Sequence, residues 1–191
     1  RFLEREGIGV VVADIPAIPL AAAQRAGRAN IATGNFGWDW IYADFTGHDP
    51  RWQAYAEKFR AVYAQTDLLL RQPFAEPMAA FPRRVDLALL ARPGTHRRAQ
   101  IAAASGADSA KQWVLLSFTA LNLGPAALDA LSHLRRYEFF AVEPLEWPGS
   151  CVHTLPRSVA AFSDIVASVD SVVSKPGFGI VSYCIANDCP I

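Results

Sequence analysis

Between Asp170 and Asn187 the chain reads Asp-Ser-Val-Val-Ser-Lys-Pro-Gly-Phe-Gly-Ile-Val-Ser-Tyr-Cys-Ile-Ala-Asn. This is a short apolar strand, a Lys-Pro-Gly-x-Gly turn, and a helix of small and branched residues. A helix that starts on glycines directly after a strand aims unpaired N–H groups and a positive dipole end above the sheet edge. Anions bind at such a point, and in α/β proteins the anion is most often a phosphate. The stretch therefore predicts an α/β chain that takes a nucleotide or a phosphosugar.

The rest of the sequence repeats the alternation. Ile8 to Ala13 is a continuous apolar run, the pattern of a strand buried on both faces of a parallel sheet. It ends on Asp14. Leu20 to Ala26 reads as a helix stopped by Gly27, and Ala29 to Thr33 as a second strand leading into Gly-Asn-Phe-Gly-Trp-Asp-Trp. Trp38 to Phe45 predicts a short helix and Asp49 to Gln65 a longer amphipathic one, with Pro50 in its first turn. Leu68 to Arg71 is a strand, residues 72–84 form a proline-punctuated loop, and Asp86 to Ala91 is a last apolar run.

Arg92-Pro-Gly94 is the best boundary, and the pattern restarts beyond it. Thr95 to Ser105 predicts a helix capped by Thr95. Strands are expected at Trp113 to Phe118, Tyr137 to Val142 and Val152 to Leu155, and helices at Gly124 to His133 and Arg157 to Val169. Val10-Val-Val-Ala-Asp-Ile-Pro16 and Ser171-Val-Val-Ser-Lys-Pro176 also echo one another. The expected fold is α/β, with two Rossmann-like domains of mostly parallel sheets over residues 1–91 and 92–191, each with ligand loops at the carboxyl edge of its sheet. The chain opens on Arg1 and closes on Pro190-Ile191, and both ends read as truncated.

Composition excludes several classes. An apolar fraction of 52% over 191 residues describes a folded chain with a sizeable core. Eighteen basic residues balance eighteen acidic ones, so no overall field draws nucleic acid or an anionic membrane. Arg83-Arg84 and Arg97-Arg98 read as solvated surface. No apolar run is long enough for a membrane span. The three cysteines, Cys151, Cys184 and Cys189, lack metal-ligand spacing and fit reduced thiols in a cytoplasmic protein.

Two clusters could carry chemistry. In the first, the extended backbone before Pro176 sends the Lys175 side chain off the strand end. Gly177 and Gly179 admit a ligand close to the backbone, with Phe178 between them. Ser182 lies in the first turns of the helix. Ser117 and Thr119 follow another buried strand and could reach the same phosphate. The alternative is a tight strand-to-helix turn with no ligand. Neither a P-loop nor a Gly-x-Gly-x-x-Gly turn is present, which argues against a P-loop kinase and a hydride-transferring dehydrogenase.

The second cluster is Asp14, Asn35, Trp38 and Asp39. Asp14 and Asn35 end successive strands, so a parallel sheet opens both on one edge. An indole beside carboxylates and an amide suits a sugar ring, and Asp14 or Asp39 could act as general base towards an acceptor hydroxyl. The alternative makes Asp39 a helix cap and the tryptophans packing; Trp40 is read as core. The four histidines have no metal spacing. His153 is expected near a strand end facing the glycine turn.

Residues 162–182, Phe-Ser-Asp-Ile-Val-Ala-Ser-Val-Asp-Ser-Val-Val-Ser-Lys-Pro-Gly-Phe-Gly-Ile-Val-Ser, resemble the donor-binding segment of GT-B-type glycosyltransferases. The likeness extends to the glycosyltransferase-like region of L-arabinokinases and related bacterial proteins. Asp14-Ile-Pro and Asn35-Phe-Gly-Trp-Asp-Trp-Ile-Tyr42 resemble a second motif of that group. The resemblance implies a nucleoside diphosphate sugar as co-substrate in the second domain and a sugar or other hydroxyl acceptor in the first. It implies transfer without a metal or other cofactor, since Lys175 and the helix N-terminus can offset the leaving-group charge. The chain departs from the group at Tyr183, where a ribose-binding glutamate is usual, and at Thr119 to Asn122, where a glycine-rich loop is usual. A non-catalytic nucleotide- or sugar-binding module and a nucleotide-sugar epimerase remain alternatives to a hexosyl- or pentosyltransferase using UDP or a similar carrier. Oligomeric state is not legible.

Overall fold

The computed structural model describes residues 1–191 as two compact units, Arg1–Leu90 and Ala91–Ile191. The first contains α1 (Phe2–Arg5), β1 (Val10–Asp14), α2 (Ala17–Arg25), β2 (Ala29–Gly34), α3 (Trp38–Asp44), a 3-10 turn at Phe45–Gly47, α4 (Arg51–Tyr63), β3 (Leu68–Arg71) and β4 (Arg84–Asp86). The four strands are parallel in the order β1-β2-β3-β4. The second contains α5 (Arg98–Ser105), β5 (Gln112–Ser117), α6 (Pro125–Ser132), β6 (Tyr137–Val142), β7 (Val152–Leu155), α7 (Phe162–Val166), β8 (Ser171–Ser174) and α8 (Phe178–Ala186). Its strands are also parallel, in the order β7-β6-β5-β8.

The first unit packs one core, in which Ala13, Leu20, Ala32, Tyr63, Leu69 and Phe81 are buried together. The opposite face of its sheet is thinly covered, and Val10 and Val12 are 49% and 61% exposed. The expectation of a first strand buried on both faces is thus wrong for those side chains. β1 is an edge strand, and its buried Ala13 points into the α2/α4 side. The second unit covers both faces of its sheet. Trp113, Leu115, Phe140 and Val172 pack against α5, α7 and α8. Val114, Leu116, Phe139 and Ala141 pack under α6 and the loop carrying Leu145 and Trp147. Alternate residues of β5 thereby serve opposite layers, as the two-residue period of a strand demands.

Three further expectations are corrected. The apolar run 86–91 is not a strand beyond Asp86, because its partner β3 ends at Arg71 and only the Leu87 N–H continues the ladder, to Arg71 O at 2.8 Å. Thr95 does not cap the following helix, which starts at Arg98; the Thr95 N–H instead donates to Asp164 Oδ1 at 2.8 Å, fastening the linker to α7. The helix expected from Arg157 shrinks to Phe162–Val166, after an extended Ala161. The freed residues 157–161 are then available as a wall.

Candidate functional site

β5 is followed in sequence by β6 and β7 on one side, and the chain then returns to lay β8 on its other side. The order of strands reverses at the β5/β8 pair. In open parallel sheets ligands occupy the crevice above the carboxyl ends of strands at such a reversal, because the connections diverge there and leave a gap. A cavity of about 780 Å³ lies at that place. Ser117 and Ser174 close the two strands in register, and the Ser174 hydroxyl donates to Ser117 O at 2.5 Å. Thr119, Lys175, Gly177 and Ile180 line the cavity from the same edge.

Lys175 is exposed at the rim, and its ammonium makes no hydrogen bond or ion pair within the protein. Helix α8 starts after an extended Gly177, and its first turn carries no side-chain cap. The Gly179 and Ile180 N–H groups of that turn have no intrahelical acceptors. A cation and uncapped helix N–H groups beside one cavity can hold a diphosphate. At Gly177 an added Cβ would meet only Ile180 Cγ2 and Lys175 O, both at 4.0 Å, so the backbone is open to a close ligand.

The structure gathers Ser117, Thr119, Lys175 and Gly177 of the expected residues, and leaves Phe178, Gly179 and Ser182 outside the lining. Helical geometry accounts for the split. Gly177 and Ile180 are three apart and share a face, whereas Ser182 turns towards the sheet, 1% exposed, with an unpaired hydroxyl. Ser182 is therefore corrected from phosphate ligand to buried core residue. His153 is corrected too. It lies in the first half of β7 and bonds Glu138 at 2.8 Å, near the amino end of β6, away from the glycine turn.

Sequence reasoning missed Glu143 and Arg157, which with Phe162, the first residue of the donor-like segment, form the opposite wall. The sequence reading places Arg157 inside a helix, and no local signal argues against it, since a proline at 156 suits a helix start. The Arg157 N–H donates to Glu143 Oε2 and its Nε to Glu143 O, both at 3.2 Å. Phe162 stacks edge-on against Tyr183, centroids 5.3 Å apart.

In the first unit Asp14 and Gly34 end paired strands, and Asn35 follows Gly34, so Asp14 and Asn35 open on one edge. The Asp14 carboxylate is exposed and takes no hydrogen bond from the protein. Asp39 is different: it is 8% exposed and faces Arg60 Nε at 3.6 Å. Trp38 packs between Phe36 and Tyr42, with ring centroids 5.5 and 5.6 Å away. Trp40, expected in the core, is 54% exposed.

The fold is that of GT-B-like glycosyltransferases. The chain superposes on the kitacinnamycin glycotransferase with a TM-score of 0.56 at 13% identity, covering 98% of this chain and 58% of that one. It superposes on the spinosyn forosaminyltransferase SpnP with a TM-score of 0.56 at 13% identity, covering 99% and 57%. In sequence it is 27% identical over 190 residues to an L-arabinokinase of Arabidopsis thaliana, covering 94% of this chain and 17% of the relative. It thus spans well under two thirds of each. No established protein-family profile matches it.

Proposed function

We propose that the chain belongs to a glycosyltransferase that moves a sugar from a nucleoside diphosphate donor to a hydroxyl acceptor. The observation that carries this is the cavity at the strand-order reversal, with Lys175 and the uncapped start of α8 on its rim. Its volume suits a nucleotide-sugar, within the range of small-molecule sites. Lys175 and the N–H groups after Gly177 hold the diphosphate, and their positive charge offsets the charge that develops on the leaving group. The likeness in fold to two glycosyltransferases supports the same reading. The acceptor side falls to the first unit, where Asp14, exposed and unpaired, is the candidate base and Asn35 and Trp38 are candidate acceptor contacts. Asp39, buried against Arg60, is the weaker candidate.

A non-catalytic nucleotide-binding module is the second reading. It is favoured by α8, which carries no acidic residue to grip a ribose and places Tyr183 against Phe162 instead.

A thermal-shift series with UDP, GDP and TDP tests the site. A ligand at a hundred times its dissociation constant stabilises the fold by about 2.7 kcal/mol. The expected result is a clear rise in Tm with one nucleotide, lost in Lys175→Ala. No rise with any nucleotide sinks the functional reading; a rise that survives Lys175→Ala sinks the phosphate assignment. Sugar release from the matching nucleotide-sugar then separates a transferase from a binding module.

A further inference from the structure

We propose that Glu143 binds the vicinal hydroxyls of a ribose, so that the cavity selects ribonucleoside diphosphates over their 2′-deoxy counterparts. This rests on the nucleotide reading of the cavity and deepens it.

Glu143 is the one carboxylate in the lining, against two cations, Lys175 and Arg157. It directly follows the last residue of β6, two strands away from β8 in the sheet. Two strand spacings place it about 10 Å across the sheet from the Lys175 turn, roughly a diphosphate and part of a nucleoside away. A carboxylate repels phosphate, so phosphates sit at Lys175 and the α8 turn, and Glu143 meets a neutral part of the ligand. An ionised carboxylate only accepts hydrogen bonds, so that part must bring donors.

The other side-chain acceptors of the lining, the hydroxyls of Ser117, Thr119 and Ser174, lie at the Lys175 end, where the phosphates sit. Phe118, Val142, Phe162 and Ile165 are apolar and suit the flat face of a base. The ribose diol lies between base and diphosphate. The carboxylate is already held in place for it: its backbone N–H donates to Leu155 O at 3.1 Å, and Arg157 grips both its carbonyl and Oε2. Oε1 takes no hydrogen bond from the protein and is left free to accept one from a ligand. Glu143 thereby supplies from the β6–β7 loop the acid that α8 lacks.

The test is titration calorimetry of the full chain with UDP, 2′-deoxy-UDP, GDP, 2′-deoxy-GDP and TDP, repeated on Glu143→Gln and Lys175→Ala. A hydrogen bond to a charged group corresponds to roughly a tenfold change or more in affinity. The wild type should bind the ribonucleotide at least tenfold more tightly than its 2′-deoxy form. Glu143→Gln should erase that ratio, whereas Lys175→Ala should weaken both forms and keep it. Equal ribo and deoxy affinities in the wild type overturn the assignment without using any variant. So does TDP binding as tightly as UDP, or a ratio that survives Glu143→Gln. If Glu143→Gln changes the choice between UDP and GDP and leaves the ribo/deoxy ratio intact, Glu143 contacts the base and the proposal fails. Absence of binding by every nucleotide overturns the functional reading together with this one.

Discussion

Ile15 follows the candidate base Asp14 at φ 67°, a left-handed conformation that a β-branched side chain rarely adopts. Such strain costs on the order of 1–3 kcal/mol and persists only where the surroundings over-determine it. Here they do. The Ile15 side chain is buried against Gly34, where even an added Cβ would come within 3.1 Å of Ile15 Cδ1. The Ile15 carbonyl accepts the hydroxyl of the fully buried Tyr63 at 2.9 Å, and that same hydroxyl accepts the Trp38 N–H at 3.3 Å. Burial pushes the Tyr63 phenol well above its ordinary pKa, so it remains a neutral donor at any working pH. One hydroxyl therefore ties the Asp14 turn to the start of α3. Tyr63→Phe leaves a buried carbonyl and N–H without this partner and should cost about 1–3 kcal/mol. Urea denaturation followed by tryptophan fluorescence measures the loss. A variant as stable as the wild type would show that the strained turn holds without Tyr63. Asp14 itself was legible in the sequence because it ends an apolar run. The strain behind it was not, since φ at Ile15 is set by partners nineteen and forty-eight residues away in the chain.

Among the elements, the amino ends of β6 and β7 carry a charge cluster remote from the cavity. Glu138 accepts from Lys111 Nζ and pairs with His153 Nε2, each at 2.8 Å. Burial is the largest single influence on its carboxyl and pushes its pKa up. The hydrogen bonds from Lys111 and His153, with help from the Asp108 N–H, outweigh that and hold it below the ordinary value. A carboxyl whose folded pKa lies below its unfolded one stabilises the fold fully above the unfolded value, and loses that contribution as pH falls through the folded one. The second unit should accordingly weaken as pH falls below the ordinary glutamate range, about 4.3. Glu138→Gln should be less stable at neutral pH and show a shallower acid limb in thermal unfolding. An unchanged acid limb would remove Glu138 from the account. At this scale strand positions were the most legible part: Tyr137 to Val142 and Val152 to Leu155 are read from apolar runs and turn residues alone. Helix starts were less so. Thr95 is a good cap by residue type, but the helix starts only at Arg98, because the Thr95 and Arg97 N–H groups are held by Asp164 and Ser168, sixty-nine and seventy-one residues later.

On the scale of the whole molecule, the two units are built to different completeness. The second covers both faces of its sheet and contributes every residue of the 780 Å³ cavity. Residues 91–191 expressed alone should therefore melt cooperatively and bind the nucleotide that the full chain binds, with affinity within a few-fold. Failure of that piece to bind would mean the cavity needs residues of the first unit. The alternation of apolar runs with helical segments, and the strand–glycine turn–helix stretch from Asp170, determined the α/β class, the parallel sheets and the neighbourhood of the cavity. Those properties follow from local periodicity and from the backbone geometry that proline and glycine allow. Only the tertiary structure decided strand order, and with it the reversal at β5/β8 that opens the cavity. Only it turned Ser182 and Asp39 inward, sent His153 to the far edge, and brought Glu143 and Arg157 across from Lys175. Pairing order and side-chain direction are set by contacts between residues far apart in the chain, and a single sequence carries no record of those contacts.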